Sequence, residues 1–257
     1  MAVTSILNNV SALGASYELG ITGTGMQKTI QRLTTGKRIN QASDDASGLV
    51  IANGLTADTQ IDTQAQANAN NLLTTLQTTD GTLNEATNLL TRAAELAQEA
   101  QGSNLSAQST SALNAEYTSI TNTFNNLVGT LTGGTTGLGG ASGFGSFSVT
   151  ISAVTQLTGD LSNATDAATA ASAITTSLNS LGTSRGQIGA GEESLQAYSN
   201  VLGIEQQNKT SQLSQIQDAN VADEVVNLTK WQILNQSGIS ALGKSNQAGQ
   251  SILSLLQ

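Results

Sequence analysis

Between Ile174 and Ile216 the chain returns to one side of a helix every seven residues. Ile174, Leu181, Ile188, Leu195, Leu202, Lys209 and Ile216 recur at that interval, and six of the seven are apolar. A period of seven held this long fits an α-helix with one face covered by another helix, and it fits no strand. Leu178 and Leu213 fill the companion position in the first and last of these heptads. Arg185, Glu192, Ser199 and Gln206 fill it in between, so the expected seam is imperfect. A second run, Leu83, Ala86, Leu90, Ala93, Ala97 and Ala100, alternates spacings of three and four. At ~1.5 Å rise per residue a fifty-residue helix would be about 75 Å long, too long for a sphere. The expected solution is slender helices side by side.

Composition agrees. Only 3% of the residues are aromatic and there is no Pro, so nothing forbids long helices and Ala, Leu, Ile and Val must fill the core. Residues 129–146 break the pattern with Gly- and Thr-rich turn chemistry. Phe147, Val149 and Ile151 then alternate with Ser148, Thr150 and Ser152, the period of a half-buried strand. A loop with a small β-hairpin is expected between the two helical halves.

Both ends are apolar and nearly charge-free. Val3, Ile6, Leu7, Val10, Leu13 and Tyr17 make a stripe at one end. Val221, Val225, Leu228, Ile239, Leu242, Ile252, Leu253, Leu255 and Leu256 do so at the other. Terminal residues are normally polar and frayed, so these stripes look like surfaces awaiting a partner. The charge follows the same division. Residues 1–38 carry four cations and one acid, residues 225–257 two cations and no acid, and residues 39–224 three cations and seventeen acids.

Several functions are disfavoured. The net charge of −9 argues against nucleic-acid binding. Without Cys or His there is no disulfide framework, thiolate metal site or His-based catalysis. No apolar run reaches transmembrane length and the start lacks a secretory signal, so general rules would place the protein in the cytosol. GITGTGMQKT (Gly20 to Thr29) has Met26 and Gln27 where a phosphate loop needs Lys directly after its last Gly. A glycine-softened bend is the better reading. Glu192 and Glu193 are adjacent and would diverge on a helix, so close approach at Gly186, Gly189 and Gly191 is favoured over a cation site. Asp44 and Asp45 suit a helix start, where a carboxylate accepts from free backbone N–H groups.

LTTGKRINQASDDASGLVIANGL (Leu33 to Leu55) closely resembles the hallmark of bacterial flagellins, the filament subunits. The ending, from LSQIQDANVADEVVNLTKWQILNQSG to NQAGQSILSLLQ, resembles the flagellin C-terminus. Ser47, Asn220 and Ser245 are small departures. TLNEATNLLTRAAELAQEA and SRGQIGAGEESL also resemble family segments. The resemblance implies a mainly α fold, a long antiparallel coiled-coil-like rod with both termini at one end and the small β region at the other. It implies a filament-core domain from 1–40 with 218–257, a helical rod from 41–128 with 165–217, and a short variable part at 129–164. Val3, Ile6, Leu7, Val10, Leu13, Ile239, Leu242, Ile252, Leu253, Leu255 and Leu256 would pack the filament core, and Lys37, Arg38, Asp44 and Asp45 would form a joint.

The expected function is structural: a subunit that polymerises into the helical flagellar filament for swimming, with no catalysis, cofactor or metal. The localisation reverses to extracellular, because flagellins leave the cell unfolded through the flagellar type III apparatus without a cleaved signal. Implied partners are further copies of the chain, an export chaperone, hook-associated junction and cap proteins, and a Toll-like receptor read through Arg92, Glu95 and Leu96. Neither nucleic acid nor membrane insertion is implied. A hook–filament junction protein is the nearest rival reading, and a secreted coiled-coil adhesin or effector is the rival outside the family.

Overall fold

The computed structural model describes residues 9–102, 104–129, 135–138 and 147–254. Its elements in order are α1 (Val10–Thr35), α2 (Ala46–Ala100), α3 (Ala107–Gly129), β1 (Thr135–Leu138), β2 (Phe147–Thr150), α4 (Ala164–Gln217) and α5 (Val221–Ser254). They form two compact units, Met1–Ala57 with Lys209–Gln257, and Asp58–Asn208. The fold is mainly α, as the heptads require.

A chain so rich in Thr would seem a poor source of long helices, because hydroxyls compete for backbone partners. Here they are turned inward along the helix. In α2, Thr74, Thr78, Thr82, Thr87 and Thr91 each donate to the carbonyl four residues back at 2.8–3.0 Å. Side-chain caps mark the starts. Asn9 Oδ1 accepts from Ala12 N (3.0 Å), Asp45 Oδ1 from Gly48 N (2.8 Å), Ser106 Oγ from Ser109 N (3.1 Å) and Asn163 Oδ1 from Asp166 N (2.9 Å). The glycines at 20, 23 and 25 cause no break: α1 is helical through all three, so the expected bend is absent.

In the unit Asp58–Asn208, α2 and α4 lie antiparallel. Gln206 Nε2 donates to Thr63 Oγ1 (2.7 Å), and at the other end Arg185 grips Asp80 through Nε–Oδ1 (2.8 Å) and Nη2–Oδ2 (3.2 Å). Leu83, Ala86, Leu90, Ala93, Ala97 and Ala100 are all buried. The same alternation of three and four continues back through Leu76, Leu72, Ala69 and Ala65 to Asp62, with half-buried Thr79 filling the gap. From α4 the heptad row Ile174, Leu181, Ile188, Leu195 and Leu202 is buried, and it begins one heptad earlier, at Ala167.

The companion row differs from the expected one. It lies three residues after each of the first four positions, at Ala170, Ser177, Ser184 and Gly191, all buried. Small side chains occupy it because the stretch from β2 to α4 lies against that face. Ser177 Oγ donates to Thr155 O and Ser184 Oγ to Ser152 O, both at 2.9 Å. At Gly191 a Cβ would fall 2.8 Å from both methyls of Val149, so β2 can approach only because that atom is missing. On its other side the stretch is held by α3. Asn125 bonds both the N–H and the carbonyl of Leu157 (2.8 Å each), and Asn114 Oδ1 accepts from Leu161 N (2.8 Å). Side-chain amides thus satisfy backbone groups that have no sheet partner. β1 and β2 pair antiparallel, Thr135 opposite Thr150 and Leu138 opposite Phe147.

Two measurements test this packing. Gly191→Ala should lower the stability of the folded chain by roughly 1–3 kcal/mol in thermal or urea unfolding, since Val149 must be displaced. Tyr117 is fully buried, and burial raises its phenol above the ordinary range, with the charge of Asp160 adding to the effect. The nearby Thr121 hydroxyl pulls the other way without meeting hydrogen-bond geometry. A raised folded pKa means the protonated form is favoured by folding. Its contribution is complete below the unfolded value of about 10 and is lost as pH climbs through the folded value. Alkaline unfolding should therefore begin at higher pH in Tyr117→Phe, once its lower overall stability is accounted for.

Candidate assembly interface

In the unit Met1–Ala57 with Lys209–Gln257, α1 and α5 run antiparallel. Asn9 Nδ2 donates to Ser245 O and Ser245 Oγ to Asn9 Oδ1, each at 3.1 Å, while at the opposite end Arg32 Nη1 meets Glu224 Oε1 at 3.2 Å. The seam is regular. On α1 the buried or half-buried row is Ala12, Ala15, Leu19, Thr22, Met26, Thr29 and Leu33. On α5 it is Glu224, Leu228, Trp231, Asn235, Gly238, Leu242 and Ser245. Spacings again alternate three and four.

Two interlocks fix how close the helices come. A Cβ on Gly25 would fall 2.7 Å from Trp231 Cε2, and one on Gly238 would fall 2.8 Å from Leu19 Cδ1. The indole fills the gap left on α1, and the leucine fills the gap left on α5. Lys230 Nζ lies 5.4 Å from the Trp231 ring centre, within cation–π range. Glu224 is buried, and its charge is answered by Arg32, whose side chain is itself largely covered.

Where α1 ends, the two chain segments are laced together. Gly36 caps α1 at φ 69°, a left-handed conformation that suits glycine. Arg38 N donates to Gln217 O (2.6 Å) and Ala219 N to Gly36 O (2.9 Å), making Lys37 and Asp218 an antiparallel bridge. The Arg38 guanidinium donates to Ile216 O at 2.8 Å, near the C-terminus of α4, where its dipole favours a cation. Asp44 Oδ2 accepts from the N–H groups of Asn40 and Gln41 (3.2 Å each), and its Oδ1 lies 3.9 Å from Lys28 Nζ. Ile39 is buried beneath this turn, against Gly48. Lys37, Arg38, Asp44 and Asp45 thus lie in one small structure, tied by backbone bonds at Lys37 and Arg38 and by side-chain bonds from Arg38, Asp44 and Asp45.

The described part of the apolar stripe expected at the N-terminus lies outside the seam and is open. Val10 is 66% exposed, Leu13 72% and Tyr17 71%. Val226, Ile233 and Ile239 on α5 are also exposed, whereas Leu242 belongs to the seam. Val3, Ile6, Leu7, Leu255 and Leu256 lie outside the described residues, as do the side chains of Ile252 and Leu253. Each terminal helix therefore carries two stripes, one of mixed large and small residues packed on its partner and an apolar one left open. Trp231, Arg32 and Glu224 are the residues that sequence reasoning passed over. The signal was the spacing of Leu228, Trp231, Asn235, Gly238 and Leu242, which shows only when polar and small residues are allowed into a seam.

In the other unit, Arg92 and Glu95 are exposed and bonded at 3.0 Å. Arg92 also holds Glu116 of α3 through Nη2 (2.8 Å) and Nε (3.0 Å), and these bonds raise its pKa further. Leu96 is fully buried and does not share their surface.

The bridge between Lys37 and Asp218 yields a direct expectation. Gly36→Ala should cost roughly 1 kcal/mol or somewhat more, because the substituted residue must hold a positive φ. The loss should appear as faster amide exchange at Arg38 and Ala219, with the core of α2 and α4 unaffected.

No helix among the described residues is long and apolar enough to cross a membrane. The chain matches the bacterial flagellin N-terminal helical region over residues 6–138 and the bacterial flagellin C-terminal helical region over residues 171–256. It is 31% identical to flagellin FlaB1 of Treponema pallidum and 30% identical to a flagellin of Halalkalibacterium halodurans. It is also 30% identical to the flagellar filament 33 kDa core protein of Treponema phagedenis. Each of these alignments covers 98% of this chain and 99% of the relative. With both terminal regions matched in order and whole-length relatives on either side of the short middle, the chain belongs to the bacterial flagellin family.

Proposed function

We infer that this chain is a structural subunit that polymerises into the helical bacterial flagellar filament outside the cell, and that it has no catalytic role. The observation that carries this reading is the pair of open stripes on α1 and α5. Val10, Leu13 and Tyr17 stay exposed although the seam beside them is complete. Several large apolar side chains on one surface are costly in a lone chain, and burial against further copies removes that cost.

Residues 1–40 with 218–257 make the filament-core part in this reading, 41–128 with 165–217 the helical rod, and 129–164 the short variable part. Lys37, Arg38, Asp44 and Asp45 act as the joint between core and rod. The subunit leaves the cell unfolded through the flagellar type III apparatus, escorted by a chaperone on its apolar ends. It meets hook-associated junction and cap proteins at the filament's two limits. Lack of cysteine and proline suits passage through a narrow channel. Recognition by a Toll-like receptor would rest on Arg92 and Glu95, with Leu96 reached only if α2 and α3 part.

Deleting residues 1–30 or 230–257 should abolish polymerisation and leave the α2–α4 helical core folded. Sedimentation and electron microscopy would read assembly, and circular dichroism would read the fold. Normal filaments from either truncated chain would overturn the assignment of the terminal helices to assembly. A secreted adhesin of similar composition would tolerate both deletions without change in its oligomeric state.

A further inference from the structure

The α1–α5 pair carries a groove on one face and a ridge on another. The groove, of ≈ 690 Å³, is lined by Tyr17, Gly20, Ile21, Thr24 and Lys28 of α1, with Trp231 of α5 as its back wall. Its lining is mostly apolar, and Gly20 has nothing within 4 Å of where a Cβ would stand, so the floor has room for an inserted side chain. The ridge is on α5. Ala222, Val226, Thr229 and Ile233, spaced four, three and four, are all exposed, with Val226 at 67% and Ile233 at 64%. Counting 100° per residue, Val226 and Ile233 lie more than about 130° around α5 from Trp231, away from α1.

We propose that the groove of one copy receives the Val226–Ile233 ridge of a second copy. This inference rests on the filament reading and names the contact within it. Three features support the match. The ridge from Ala222 to Ile233 and the groove from Tyr17 to Lys28 span the same number of residues, about 16 Å each by helical rise. The ridge is narrow, built of Ala, Thr and β-branched residues, as a groove floored by glycine requires. The charges agree in sign: Lys28, 49% exposed and only loosely paired with Asp44, closes one end of the groove, and exposed Asp223 flanks one end of the ridge. Groove and ridge occupy different faces of the same chain, so the contact is head-to-tail. Where its rotation does not close a ring, such a contact leaves a free groove and a free ridge on every oligomer, which is the condition for an open helical polymer.

The chain has no native cysteine, which makes cross-linking clean. Thr24→Cys and Thr229→Cys, made in separate chains, are mixed, polymerised and oxidised. A covalent dimer should form in the mixture and not in either variant alone. As a second arm, Lys28→Glu should raise the critical concentration for assembly about tenfold, by setting like charges opposite one another. Adding Asp223→Lys to the same chain should restore most of the loss. Filaments from the mixture without the cross-link, together with failure of the charge reversal to rescue, would overturn the groove–ridge contact and leave the filament reading standing. Absence of filaments from the unaltered chain under all polymerising conditions would overturn the filament reading itself.

Discussion

Close approach at missing or minimal side chains governs how this protein is built. Gly25 admits Trp231, Gly238 admits Leu19, and Gly191 admits Val149. Ala170, Ser177 and Ser184 let an extended stretch lie directly on α4. Helices that meet through small residues spend a narrow stripe on each contact. With few aromatic residues to fill wide gaps, the chain has little alternative: its core is made by bringing backbones together rather than by inserting bulk between them.

That economy of surface has a functional consequence. Because the α1–α5 seam takes one narrow stripe from each helix, with Leu19, Met26, Leu33, Leu228, Trp231 and Leu242 set among Ala, Thr, Asn, Gly and Ser, the apolar residues Val10, Leu13, Tyr17, Val226 and Ile233 remain outside it. A pair that buried all of its large apolar residues internally would be a stable, inert hairpin. This one holds its own geometry and still presents apolar area to further copies. Backbone bonds between 36–38 and 217–219 hold the pair in register and depend little on side-chain identity. The exceptions are Gly36, for its φ, and Ile39 and Asp44, which fill and brace the turn.

Polar residues do more structural work here than their hydropathy suggests. The Thr hydroxyls of α2 close on their own helix. Asn114 and Asn125 replace a missing sheet partner for the stretch before α4. Arg185 and Asp80 tie the antiparallel helices at a position where heptad reasoning saw only an interruption. Such residues read as surface in a sequence because their partners are distant: Asn125 and Leu157 are 32 positions apart, and Arg32 and Glu224 are 192 apart.

The sequence by itself determined the helical class, the α2 and α4 heptad rows, the Asp45 helix start, the strand beginning at Phe147 and the family, because these depend on local period, capping chemistry and contiguous motifs. The tertiary structure decided the rest. It moved the companion row of α4 from Leu178, Arg185 and their successors to the small residues one position earlier, and it ran α1 straight through its glycines. It also buried Leu96, and it paired α1 with α5 through a row other than the Val10 and Leu13 stripe. The physical reason is the same in each case. Periodicity reports which side of a helix is apolar, but whether that side meets its own chain or another depends on where backbones can come closest. At these positions that is set by atoms the side chains lack, and their effect appears only when the opposite helix is in place.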